Sequence, residues 1–202
     1  MNYLNLQLKK MKVKISKKKL KILHLDCEAL SAGYPTGTYN KVPQKMTAIA
    51  WSWGGDDNIE VISCGKKGIF DEEIRAKMIK KFLPILEEAN ILSGHYLRGF
   101  DMPLFVEECH RLNLPMPSAK LVLDTMDLPK GVMKKGLDNL AIIYELPAEK
   151  MEMNWAQWYK AYGNPTWDEI EQRVASDVLL QKYVLFEQQK RKIQKPPKKW
   201  SP

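Results

Sequence analysis

The sequence predicts a mixed α/β domain: a central sheet with helices packed against it. Two observations carry this. Three β-type runs follow one another between residues 22 and 63, separated by turn-forming residues, as in a meander. Beyond them, stretches of helical periodicity alternate with short apolar runs, so strands and helices take turns along the chain.

The elements follow in order. Ile22 to Cys27 is a short apolar run that reads as a central strand. Residues 30–45 are rich in Gly, Pro, Thr and Asn and read as a loop. Met46 to Trp53 is a second strand, Gly54-Gly55-Asp56-Asp57-Asn58 a turn, and Ile59 to Ser63 a third strand. Trp51 and Trp53 share one face of the second strand and read as core. Asp71 is placed to cap a helix in which Ile74, Met78, Phe82 and Ile85 recur at helical spacing. Ile91 to Gly94 is a short strand, and Phe100 to Leu112 a helix with Leu104, Phe105 and Cys109 inward. Leu121 to Leu123 is a strand that ends at Asp124-Thr125. Leu137 to Tyr144 and Trp155 to Tyr162 read as helices. Thr166-Trp167-Asp168-Glu169 has the form of a capping box and opens a last helix running to about Gln189. On that helix Ile170, Val174, Asp177 and Gln181 share one face, which sets Asp177 beside apolar residues.

Composition limits the function classes. The 202 residues suit one domain, and the hydrophobic share of 45% suffices for a core. No stretch approaches the roughly 20 apolar residues of a membrane span, and Met1 to Leu8 lacks an apolar signal core. Cys27, Cys64 and Cys109 have no metal-type spacing and read as buried thiols of a reducing, intracellular (cytoplasmic) compartment. The net charge of +8 is unevenly placed: eight lysines and no acid lie in residues 1–21, and six basic residues and no acid in 190–202. Residues 22–189 therefore carry 18 basic against 24 acidic groups, a net of −6. This divides the chain into a basic N-terminal arm (1–20), an acidic body (21–189) and a basic C-terminal tail (190–202). Basic ends of this kind suit contact with a phosphate backbone, or serve solubility alone.

Four acids stand in apolar settings in three separated places. Asp26 and Glu28 lie in Ile22-Leu23-His24-Leu25-Asp26-Cys27-Glu28, Asp101 follows Gly94-His95-Tyr96-Leu97-Arg98-Gly99-Phe100, and Asp177 lies in Ser176-Asp177-Val178. Asp26 and Glu28, two apart on a strand, point to one face, and Cys27 points to the other. Each acid has an ordinary structural reading. Asp101 suits the first turn of the helix it opens, and Asp177 suits an ion pair with Arg173 one turn earlier. Four carboxylates gathered in one place could not all stay ionised unless a cation sat among them, and hard oxygen-seeking ions such as Mg²⁺ fit that role.

These residues resemble the DEDD family of 3′–5′ exonucleases, with their ribonuclease-H-like fold. The family's first motif is an apolar strand ending Asp-x-Glu, here Leu23 to Glu28. Its second is Gly-His-Asn followed by Phe-Asp, here Gly94-His95-Tyr96 and then Phe100-Asp101. Its third is a helix carrying an aspartate, here Asp177. The Asp124-Thr125 strand end and Gly136-Leu137-Asp138-Asn139-Leu140-Ala141 match the family's intervening pattern. The resemblance spans about residues 21–188. The chain departs from it at Arg173 and Gln172, where the family has tyrosine or histidine before the third-motif aspartate, and at Tyr96, where it has asparagine.

The resemblance implies a ribonuclease-H-like mixed sheet and a hydrolase that releases nucleotides from a 3′ end, DNA more than RNA. It implies two ions, Mg²⁺ or Mn²⁺: Asp26, Glu28 and Asp177 would hold one, Asp26 and Asp101 the other. His95, Arg173, Lys134 and Lys135 are the expected contacts to nucleic acid, the substrate a single-stranded 3′ end, the further partner a polymerase or replication protein. The competing reading is an exonuclease-like module that binds nucleic acid or protein with little catalysis.

Overall fold

In the computed structural model, residues 20–31, 44–69, 71–129, 135–163 and 167–202 are described. Six strands form one sheet: β1 (Ile22–Ser31), β2 (Gln44–Trp53), β3 (Glu60–Ser63), β4 (Ile91–Gly94), β5 (Lys120–Asp124) and β6 (Lys198–Trp200), in the order β3-β2-β1-β4-β5-β6. β1, β2 and β3 are the antiparallel meander that the turn chemistry predicts; Gly55 supplies the positive φ of 87° in its second turn. β4 and β5 lie parallel to β1 and to each other, and β6 runs antiparallel to β5.

The helices are α1 (Gly65–Gly68), α2 (Glu72–Glu88), α3 (Asp101–Arg111), α4 (Leu137–Ile143), α5 (Trp155–Gly163) and α6 (Asp168–Lys190). Alternation along β1 sends Leu23, Leu25 and Cys27 to one face. Leu25 pairs with Trp51, whose ring meets Phe82 of α2 at 5.2 Å, and Phe82 meets Phe105 of α3 at 5.8 Å. That face is the aromatic core beneath α2 and α3. His24, Asp26 and Glu28 take the opposite face, under α6, where Gln181 bonds Asp26. Opposite Asp26 and Glu28 on β2 stand only Ala50 and Ala48. Helices on both sides of a mixed sheet give the α/β, ribonuclease-H-like architecture expected.

Local chemistry explains the boundaries. Asp71 caps α2 by accepting from the amides of Glu73 and Ile74. Buried Arg75 donates to the carbonyls of Gly68 and Ile69 and lies 3.7 Å from Glu108, which also accepts from Met46 N, so α1, α2, α3 and β2 are fastened by one charged network. All three cysteines are free and buried. Trp51 is buried as expected; Trp53 is only half-buried, at the strand end, with Lys21 Nζ 5.8 Å from its ring.

Two expectations need correction. The sequence divides residues 190–202 from the body as a basic C-terminal tail. Instead Lys198–Trp200 is the edge strand β6, Gln194 is buried, and Trp200 packs on the core. Lysine is common on exposed edge strands, where its charge discourages further pairing, so a basic composition did not mean an unpaired segment. The second concerns α6. Its N-cap is Trp167, at φ 60°, with no side-chain cap bond; Thr166 lies outside the described residues. So do residues 1–19 of the N-terminal arm.

Candidate metal centre

The site is built where β1, β4 and α6 meet. β1 pairs with β4 only as far as His24–Ser93, so Asp26 and Glu28 project beyond the end of β4. Gly94 closes β4 at this point. A Cβ there would stand 2.9 Å from the Leu25 carbonyl and 3.2 Å from Gln181 Oε1, so only glycine lets strand and helix come so close. α6 buries Ile170, Val174, Val178 and Gln181 against the sheet, and the same face carries Asp177 to the β1 acids.

One ligand oxygen from each of Asp26, Glu28 and Asp177 lies within 4.8 Å of the others. Gln181 Nε2 donates to Asp26 Oδ1 at 2.9 Å. Asp101, the first residue of α3, is 3% exposed and accepts from Cys27 N at 2.9 Å, between the two β1 acids. It adjoins the trio but is not one of the three that meet.

The four carboxyls share one electrostatic fate. Burial, then Asp101, Asp177 and Glu28, push Asp26 well above the usual carboxylate range, with Lys150 opposing. Burial raises Glu28 to about 7 against the pull of Arg173. Burial raises Asp101 to about 8 against its backbone hydrogen bonds, with Glu28 and Asp124 adding to the rise. Asp177 is raised by burial, while Lys150 and Arg173 hold it down.

Two basic residues stand among the acids. Arg173 Nε donates to Glu28 Oε1 at 2.9 Å, and its NH2 lies 3.7 Å from Asp177 Oδ2. The ion pair expected with Asp177 is therefore present, and a shorter one to Glu28 is added. Lys150 Nζ lies 3.9 Å from Asp177 Oδ2. Lys150 also lines a cleft of ≈ 510 Å³ with Asp138, Glu145, Glu149 and Glu152. With four acids to one lysine, that cleft is a poor channel for a phosphate backbone.

The remaining sequence candidates divide. His95 Nδ1 lies 2.8 Å from Thr125 Oγ1, and that hydroxyl spends its proton on the Gly94 carbonyl. His95 Nδ1 is thus the donor, and Nε2 carries the lone pair. Burial and then Lys150 lower its pKa to about 4, so the ring is neutral at pH 7. His24 shares the face of Asp26 but sits at the start of β1, where burial and Lys182 lower it to about 4. Asp124 is structural: it accepts from the amides of Tyr96, Arg98 and Met126 and so fixes the turn that carries His95. Tyr96 is half exposed at φ 60°. Lys135 precedes α4, and no described contact joins it to the acids; Lys134 lies outside the described residues.

Sequence reasoning missed Lys150 and the role of Gln181. Gln181 was legible as the residue one turn beyond Asp177 on the same face. Lys150 lies in an irregular segment with no periodicity or motif to mark it.

The residues present suit a divalent cation. All donors are carboxylate oxygens, the set hard ions prefer. Mg²⁺–O bonds of roughly 2.0–2.1 Å put opposite ligands about 4.2 Å apart, so a slight closure of the trio would seat one. Asp177 Oδ1 is buried with no hydrogen-bond donor, an acceptor whose partner a cation would supply.

No protein-family model matches the chain, and no curated protein sequence matches it. Among solved structures it is similar to the family B DNA polymerase from the hyperthermophilic archaeon Pyrobaculum calidifontis, with a TM-score of 0.63 and 16% identity. The match covers 85% of this chain and 24% of the polymerase chain. At that identity the likeness speaks to the fold: a mixed sheet flanked by helices that also occurs within a DNA polymerase. Among the described residues no helix is long and apolar enough to cross a membrane.

Proposed function

We propose that the chain is a metal-dependent 3′–5′ exonuclease that hydrolyses the terminal phosphodiester of single-stranded nucleic acid, DNA in preference to RNA. The observation that carries this reading is the meeting of Asp26, Glu28 and Asp177 within 4.8 Å. They come from a strand and a helix about 150 residues apart in sequence, with Asp101 beside them. A fold does not gather buried carboxylates for stability, because each resists ionisation there. The likeness to a DNA polymerase supports nucleic acid as the substrate class.

In this reading Asp26, Glu28 and Asp177 hold the ion, and Asp101 shares its charge. Gln181 fixes the Asp26 carboxylate. A bound Mg²⁺ or Mn²⁺ supplies charge neutralisation at the phosphodiester and acidifies water. Arg173 stands where the family carries its tyrosine, and a guanidinium has no lone pair to take a proton. The lone pair on neutral His95 Nε2 is available for that step, and Lys150 offers a positive charge to the scissile phosphate. Lys134 and Lys135, ahead of α4, are the proposed backbone contacts, with the arm at 1–20 adding sequence-independent affinity. A polymerase or replication protein is the proposed partner.

The second reading, a binding module with little catalysis, is favoured by one observation: Arg173 already spans Glu28 and Asp177. Digestion of 5′-labelled and 3′-labelled oligonucleotides with Mg²⁺, Mn²⁺ or EDTA separates the two. The exonuclease gives a one-nucleotide ladder from the 5′ label and free mononucleotide from the 3′ label, both abolished by EDTA. Retention of oligonucleotide without cleavage in either metal establishes the binding module.

A further inference from the structure

Two clefts meet at the turn after α4. The first, of ≈ 600 Å³, has apolar walls from Leu20, Tyr144, Leu146, Tyr183 and Phe186. Phe186 is 63% exposed. His24 also lines this cleft, and its Nδ1 is buried with no hydrogen-bond partner, a polar atom left wanting one. The second is the acidic cleft of Lys150, where Ala141 and Leu146 stand among Asp138, Glu145, Glu149 and Glu152, and Ile142 is 76% exposed. Glu145 and Leu146 belong to both linings, so the two clefts share a wall.

The acidic cleft is uncompensated. Glu145, Glu149 and Glu152 have no ion-pair partner among the described residues. Nor do its acids converge on one point: among the described residues only Asp26, Glu28 and Asp177 group closely enough to hold an ion. Acids spread along an apolar wall suit a peptide that spreads lysines along an apolar stripe, and they repel a phosphate backbone. A peptide also brings main-chain donors and acceptors, the kind of group that His24 lacks.

The chain itself leads such a peptide to the place. Leu20 is part of the first cleft's wall. Immediately before it, residues 9–19, which lie outside the described residues, read Lys-Lys-Met-Lys-Val-Lys-Ile-Ser-Lys-Lys-Lys. They hold seven lysines and no acid, and Met11, Val13 and Ile15 fall at alternate positions between lysines. At roughly 3.3–3.6 Å per residue, the five steps from Leu20 back to Ile15 reach about 17 Å, and the passage from the first cleft to the second crosses only the shared Glu145-Leu146 wall.

We propose that residues 9–19 dock along these joined clefts of their own chain, lysines against Glu145, Glu149 and Glu152, so that the arm covers the approach to Lys150 and, behind it, Asp177. The inference goes beyond the nuclease reading and does not rest on it.

The test is amide broadening, by nuclear magnetic resonance, from a nitroxide carried on Ser16→Cys of the full chain, whose three native cysteines are buried. At low salt the signals of Ala141, Ile142, Glu145 and Leu146 should broaden most, while those of α3, on the other face of the sheet, stay sharp. The pattern should be lost at about 1 M NaCl, where screening acts beyond about 3 Å. It should also be lost in a chain combining Glu145→Gln, Glu149→Gln and Glu152→Gln, three exposed substitutions that leave the core alone. Broadening spread evenly over the surface or centred elsewhere overturns the inference, as does a pattern that survives the three substitutions. Broadening of an unlabelled chain by a labelled one overturns it too, and makes the clefts a contact between copies. Because the same lysines serve nucleic acid in the reading above, a bound single-stranded oligonucleotide should release the arm. Failure of the oligonucleotide to bind counts against that reading, whereas the broadening alone decides the docking.

Discussion

Stability of the metal-free protein should fall between pH 6.5 and pH 8. In the folded chain Glu28 titrates near 7 and Asp101 near 8, whereas in the unfolded chain both lose their protons near pH 4. Above pH 6.5 the folded state therefore holds protons that the unfolded state does not, and each further pH unit costs up to ~1.4 kcal/mol per proton. The stabilisation is complete below the unfolded values and is lost as pH rises through the folded ones. Over this interval Asp101 and Glu28 contribute roughly 2–3 kcal/mol together, Asp101 the larger share of the two, and Asp26, raised in the same direction, adds to the fall. At about 2–4 °C per kcal/mol for a chain of this size, the melting temperature drops by about 5–10 °C. His24 and His95, both lowered to about 4, oppose this mainly below pH 6.5; above it the half-charged unfolded rings lose their remaining protons and offset a minor part of the fall. The assay is thermal melting followed by circular dichroism in EDTA at the two pH values, repeated with Asp101→Asn, which keeps an oxygen to accept from Cys27 N. The variant should lose the Asp101 share of the slope, and Mg²⁺ should remove the slope from the wild type at pH 8. A melting temperature independent of pH in EDTA would refute the buried-carboxylate argument.

Other consequences are open to simple measurement. Gly94→Ala puts a methyl 2.9 Å from the Leu25 carbonyl; it should cost roughly 1–3 kcal/mol in a denaturant melt and weaken Mn²⁺ binding. Phe82→Ala empties the ring cluster between Trp51 and Phe105 and should cost about 3–5 kcal/mol by the same melt. Removing residues 198–202 strips β6 from β5 and should lower the melting temperature; an unchanged value would mean the strand is dispensable.

The sequence was most legible where local chemistry and burial agree. The β1–β3 meander, the Asp71 cap and the inward face of α6 follow from period and turn residues. The trio was legible because Asp26 and Glu28 share a strand face and Asp177 an apolar helix face, so two local arguments met at one place. β6 was not, because a three-residue edge strand of Lys-Lys-Trp has no alternation to read and its pairing partner, β5, is some 80 residues away. The cation content was also hidden. Lys150 reaches Asp177 from an irregular segment, and the bond from Arg173 to Glu28 crosses 145 residues. Spacing along α6 showed only the local partner of Arg173, Asp177.

The central claim is that the gathered acids cut nucleic acid from its 3′ end by means of a divalent cation. The most direct measurement is the initial rate of mononucleotide release from a single-stranded oligonucleotide in Mn²⁺, for wild type and Asp26→Asn. Asp26→Asn keeps the oxygen that accepts from Gln181 and removes only the charge. The account predicts metal-dependent release by the wild type and a loss of at least about 10²-fold in the variant, the scale on which an electrostatic catalytic group is felt. Equal rates in the two proteins, or release that persists in EDTA, would contradict it.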